Sequence, residues 1–200
     1  MIQAASFSKR NNYPDINNGG FTLVELLVAV ALFSITVGVG AARYADFNRS
    51  QTIKAAGETF KNNLRDIQTK AFTNVIPATT TCIANPFQGY QVQFFNTTTP
   101  GSPCAGKACF QAYPRCNDSN EGTPSIYTLP DQVDFNSLPG NVDFKTLGMG
   151  TSVGNFVVTL RAYSSLPAAQ QYFYKVCISI SGELKDCKFK KGDSSFACSC

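Results

Sequence analysis

Apolar residues are concentrated near the start of the chain and then thinned into a pattern. From Phe21 to Ala42 the run FTLVELLVAVALFSITVGVGAA carries one charge, Glu25, and the next is Arg43. As a helix this run would extend about 33 Å, enough to cross a hydrocarbon core of about 30 Å. From Arg43 to about Asn74 the chain becomes polar but keeps a helical rhythm. Ile53, Ala56, Phe60, Leu64, Ile67 and Ala71 recur at intervals of three or four, which describes one apolar stripe on an amphipathic helix. Lys54, Glu58, Lys61, Arg65 and Asp66 fall mostly off that stripe and read as a solvated face. Gly57 is a mild helix penalty of about 1 kcal/mol, more consistent with close packing than with a break. The pattern predicts one helix from Phe21 into the low seventies, with Pro77 as its stop.

Beyond Pro77 the period changes to alternation, as in Tyr90-Gln91-Val92-Gln93-Phe94, and clusters of Thr, Pro, Gly and Asn separate the segments. Strands are predicted at Gln88 to Asn96, Ser125 to Leu129, Asn141 to Thr146, Asn155 to Tyr163 and Tyr172 to Ser181. The last forms a hairpin with Leu184 to Phe189 through Ser181-Gly182-Glu183. The helix stripe and the sheet each need cover, so they pack on one another. The expected fold is α+β, a ladle whose long N-terminal helix, membrane-spanning in its first half, packs on a C-terminal antiparallel sheet. The expected divisions are a polar leader at 1–20, a transmembrane helix at 21–42, its amphipathic continuation at 43–75 and a sheet domain at 76–200.

Composition narrows the chemistry. The 200 residues are 44% apolar and 15% charged, so one substantial core is affordable. A net charge of +4 is too slight to name a partner. There is no His, which removes the commonest general base and metal ligand, and no other catalytic or cofactor motif stands out, so a non-enzyme without cofactor or metal is expected. Eight cysteines, Cys82, Cys104, Cys109, Cys116, Cys177, Cys187, Cys198 and Cys200, suit disulfides made outside the cytosol. Their pairing stays open among on the order of a hundred combinations. The hairpin turn sets Cys177 roughly opposite Cys187, the Cys104 to Cys116 segment reads as a stapled loop, and Cys198 or Cys200 would tie down the tail. Lys9 and Arg10 before the apolar run keep the N-terminus cytoplasmic and send the cysteine-bearing part outward.

Glu25 is the anomaly. A charge within a membrane span costs on the order of 2.5 to 3.5 kcal/mol near the bilayer centre and wants a cationic partner. Cleavage after Gly20 would make one, because the new α-amino group of Phe21 stays protonated up to a pKa of about 8. A polar leader ending in Gly20, Phe21 next and Glu25 fifth from the cut resembles the class III signal of type IV prepilins and type II secretion pseudopilins. The resemblance implies that a prepilin peptidase and N-methyltransferase cuts Gly20-Phe21 and methylates Phe21. It implies too that Glu25 meets the terminal amine of an adjoining subunit in a helical filament of pilins or pseudopilins. Many major pilins have Pro where this chain has Ala42, so Gly38 and Gly40 are the weak points of the span.

A looser resemblance covers Phe144, Gly148-Met149-Gly150, the strand from Asn155 and Val176 to Gly182. These are similar to H-type minor pseudopilins and T-type fimbrial minor pilins. Together the residues point to a minor pilin or pseudopilin of a type IV pilus or type II secretion filament, held in the inner membrane by its helix with the C-terminal domain outside. The alternative is a DNA-binding minor pilin of natural transformation. It would use Lys185, Lys188, Lys190 and Lys191, which surround Phe189, although the residues after Gly182 match the basic motif of T-type relatives poorly. Asp131 and Asp134 lack the glycine turn and terminal Glu of an EF-hand and read as a solvated loop. Asn48, Asn96 and Asn117 stand in Asn-x-Ser/Thr contexts, which arise often by chance.

Overall fold

The computed structural model describes residues 21–76, 82, 86–116 and 119–200, and of Ala42 and Lys188 the backbone alone. The leader with Gly20, together with Pro77 and Asn117, lies outside the described residues. The chain divides into a first unit ending at Arg43 and a second, Tyr44–Cys200.

A single helix, α1 (Leu23–Phe72), runs through both units and is unbroken at Gly38 and Gly40. Thr22 caps its start: the hydroxyl accepts the Glu25 N–H at 3.2 Å, satisfying one of the donors a helix N-terminus leaves free. In the first unit the large apolar side chains of α1 are all exposed, Leu23 at 75% and Phe33 at 70%. Ser34 and Thr36 turn their hydroxyls back onto carbonyls of the preceding turn, so neither is left without a partner on an apolar surface. The helix ends sooner than Pro77. Asn74 adopts a left-handed φ of 57°, its N–H bonds Ala71 O, and the Val75 N–H reaches Lys70 O. That is a Schellman stop, for which Asn is the usual substitute for glycine.

The second unit holds the remaining elements. The strands are β1 (Phe87–Phe95), β2 (Cys109–Cys116), β3 (Ser119–Asn120), β4 (Ser125–Thr128), β5 (Val133–Phe135), β6 (Val142–Lys145), β7 (Phe156–Ala162), β8 (Tyr172–Ile178) and β9 (Leu184–Lys191). They form two antiparallel sheets rather than the one expected. The first runs β3-β2-β1-β6 with β4 also on β2, and the second runs β5-β7-β8-β9. Three strands, β2, β3 and β5, arise where none was predicted. In β2 the obstacle was Pro114, which cannot donate to a ladder. Its carbonyl accepts Glu121 N–H at 3.0 Å, so its nitrogen points to the same edge, into the gap between β4, which pairs with β2 up to Ala112, and β3, which pairs with it from Arg115. In β5, Val133 and Phe135 enter the core while Asp134 between them forms a two-pronged bond with Arg161 on β7, at 2.9 and 3.0 Å.

All six residues of the helix stripe are buried, from Ile53 to Ala71. Phe60 joins the layers: its ring lies 5.1 Å from Phe110 and 6.3 Å from Phe94 of the first sheet, and 6.0 Å from Phe135 of the second. Backbone and side-chain bonds stitch the two sheets at two places. The Asn96 carboxamide accepts the Phe135 N–H and donates to its carbonyl, at 2.9 and 3.0 Å, in the manner of a strand partner. Elsewhere the Thr151 N–H reaches Ile180 O at 3.0 Å, and Gly150 lies so close that an added Cβ would stand 2.1 Å from the same oxygen. The architecture is α+β and pilin-like.

Candidate functional site

The residues that the sequence reading singled out fall in three places. Phe21 and Glu25 stand at the start of α1, Phe21 81% exposed. Glu25 occupies the third helical position, where a negative charge complements the helix dipole. Among the described residues its carboxylate has no ion pair or hydrogen bond, so the local fold gives it a place but no cation. Gly20, the other half of the expected cut, is outside the described residues. The apolar part of α1 is long and apolar enough to cross a membrane, with a mean hydropathy of 2.3 over its best window.

The cysteines form four bridges, Cys82–Cys116, Cys104–Cys109, Cys177–Cys200 and Cys187–Cys198. Two expectations are corrected. Cys177 does not join Cys187, because the hairpin turn, closed by the Ser179 N–H on Glu183 O, pairs Ile178 with Leu184 and so sets Cys177 opposite Lys185. Nor is Cys104 to Cys116 one stapled loop: the bridge from Cys104 closes at Cys109, where β2 begins, and Cys116 at the far end of that strand joins Cys82. The tail after β9 returns to both Cys177 and Cys187. On the way Lys175 Nζ donates to Phe196 O and stands 4.5 Å from the centre of the Phe196 ring. This explains why every residue of β8 is buried, where alternation alone would bury half. Tyr174 faces the helix at Gly57, and the tail covers Lys175 and Cys177 on the opposite side.

The C-terminal lysines do not form a free basic strip. Lys185 pairs with Glu183 at 3.4 Å, Lys190 with Asp193 at 2.7 Å, and Lys191 with Asp46. Nothing is described of the Lys188 side chain. Each of the other three faces a carboxylate. Asp131 pairs with Lys107 at 2.6 Å and Asp134 with Arg161, and among the described residues no cluster of His, Cys, Asp or Glu could hold a metal. Asn96 is engaged by Phe135, as described, and is not presented as a free amide. A cavity of about 510 Å³ forms an open notch beside β1 and β6. Two of the charged groups in its lining pair with each other, Arg115 with Asp143 at 2.7 Å, and Gln91 also donates to Asp143.

One constellation was missed by sequence reasoning altogether. Asp46 accepts hydrogen bonds from both Tyr172 at the start of β8 and Lys191 at the end of β9. The Lys191 bond, then that from Tyr172, holds the Asp46 carboxyl below the usual carboxylate range. Burial first, and the Asp46 bond second, push the Tyr172 phenol up. Nearby, Arg49 stands over the Tyr163 ring at 5.6 Å and Lys54 over Phe189 at 4.3 Å. Further along α1, Lys61 bonds Asp186 at 2.9 Å. No periodicity links residues more than a hundred positions apart, so nothing in the sequence announced these contacts.

Residues 16–41 match the family model of the prokaryotic N-terminal methylation motif. The chain carries a class III prepilin-type signal. No curated protein and no solved structure matches the chain. The matched residues take in Phe21, Glu25 and most of the apolar helix, so the motif and the exposed span coincide. A pilin-like protein, processed at its N-terminus and anchored by that helix before entering a filament with other pilins, fits both.

Proposed function

We propose that this protein is a minor pilin or pseudopilin, a structural subunit and not a catalyst. The carrying observation is the coincidence of the methylation motif with an apolar helical segment whose large side chains are exposed. Exposed apolar area on this scale must be covered, first by lipid and then by like helices.

In this reading the leader stays cytoplasmic, the peptidase cuts Gly20-Phe21, and the new amine on Phe21 is methylated without losing its charge. Glu25 is then a carboxylate one helical turn inside the mature end. Drawn into a bundle of apolar helices it is costly alone and stabilising when it meets a neighbour's terminal amine, which fixes the axial register of one subunit on the next. Ser34 and Thr36 are already satisfied within their own helix, so Glu25 is the group of the span for which register matters. The disulfide-closed domain stays in solvent, outside the membrane, and later on the filament surface.

Protein extracted from the membranes of its host and subjected to intact-mass and N-terminal analysis is expected to begin at N-methylated Phe21. Material that retains Met1, or that begins near Arg43, would contradict the proposal. The paired lysines give the DNA-binding alternative no support of its own.

A further inference from the structure

The residues that follow the apolar span along the chain, and those bonded to them, have a distinctive chemistry. Asp46 lies four residues beyond Ala42, so at most about 14 Å of chain separates it from the end of the span. Lys191 and Tyr172 are bonded to Asp46, which places the end of β9 and the start of β8 at the same level. The connection before β8 belongs there too, since the Gly192 N–H reaches Gln171 O at 2.8 Å and Gly192 packs on Ala169. From Tyr163 to Gln171 that connection, YSSLPAAQQ, carries no charge. On α1, Tyr44 is 72% and Phe47 59% exposed, on the side of the helix away from the buried stripe. Arg43 precedes Tyr44, one helical turn before Phe47, and Arg49, on the domain-facing side of the helix, stands over the Tyr163 ring. Lys190 and Lys191 bring two further cations, against Asp46 and Asp193 as the only acids on these segments.

Exposed tyrosine and phenylalanine just past an apolar span, arginines alongside, and an uncharged small-residue loop are what a lipid headgroup layer accommodates. We infer that this end of the domain rests on anionic phospholipid. Tyr44 and Phe47 enter the interface, and Arg49, Lys190 and Lys191 face headgroup phosphates. The inference rests on the reading of residues 21–42 as a membrane span.

The test uses the full chain reconstituted into phosphatidylcholine vesicles with and without phosphatidylglycerol. Flotation reports insertion, and amine acylation read by peptide mass mapping reports lysine exposure. Lys190 and Lys191 are expected to react about fivefold more slowly when phosphatidylglycerol is present. High salt should erase the difference. Lys70, on α1 about 36 Å beyond Asp46, should react alike in both. Arg49→Gln should shrink the protection of Lys190, and Arg49→Lys, which keeps the charge, should restore it. Flotation with both vesicles but equal acylation of Lys190 and Lys191 overturns this inference and leaves the membrane anchor standing. Failure to float with either overturns the anchor and the inference with it.

Discussion

Gly57 shows how one position is decided by two opposed effects. As a helix-interior glycine it costs about 1 kcal/mol relative to alanine. Yet an added Cβ would stand 2.3 to 2.5 Å from atoms of the Tyr174 ring, which is boxed in by the sheet. The clash outweighs the propensity gain, so Gly57→Ala should destabilise the domain by about 1–3 kcal/mol in chemical denaturation followed by circular dichroism. Gly40→Ala meets no atom within 4 Å and should leave the domain's unfolding midpoint unchanged. Phe60 is the opposite case, a large side chain with rings on three sides. Phe60→Ala should cost about 3–5 kcal/mol by the same measurement. Tyr174 is pushed up to about 12 by burial first and by the Asp186 carboxylate second. A raised phenol favours the protonated, folded form, so its contribution is complete below the unfolded value of about 10 and lost as pH rises toward 12. Tyr174→Phe should flatten the alkaline limb of the stability curve.

At the scale of elements, the link between α1 and the second sheet is a row of contacts made by side chains distant in sequence. Asp46 is held low mainly by Lys191, and Asp186 mainly by Lys61. Depressed carboxylates contribute stability above the unfolded value of about 3.9, and that contribution is lost as pH falls through their folded values. Melting temperature should therefore drop below about pH 4, and Asp46→Asn with Asp186→Asn should make the drop shallower. Both groups are exposed enough for solvent to screen them, so the change in slope is expected to be small. The tail acts on the other face of β8. Cys198→Ser with Cys200→Ser releases it, which should cost about 2–4 kcal/mol per bridge and speed amine labelling of Lys175, now nine-tenths buried. These elements divide by legibility. The helix stripe was readable because period 3.6 reports one buried face. β2 and β5 were not, because Pro114 and Asp134 break the local pattern and are accommodated only by the gap between β3 and β4 and by Arg161.

For the whole molecule the question is what covers the apolar half of α1. If Glu25 sets subunit register, Glu25→Ala should sharply reduce recovery of the protein in sheared filament fractions. Circular dichroism and disulfide content of the domain should stay unchanged. Normal incorporation of that variant would remove the register role. The domain's independence from this residue follows from its core, which is complete between Ile53 and Leu184 without any side chain before Tyr44.

The sequence by itself determined the anchor, the signal around Gly20 and Phe21, the anomaly of Glu25, the helix stripe and most strands. Each depends on neighbours a few residues apart, whose spacing is written in the chain. Tertiary structure alone decided the split into two sheets, the partner of every cysteine, the tail across β8 and the Asp46, Tyr172 and Lys191 group. Those depend on which distant segments share space, and register irregularities of a single residue, such as that between Tyr174 and Val176, redirect side chains in ways no local pattern records.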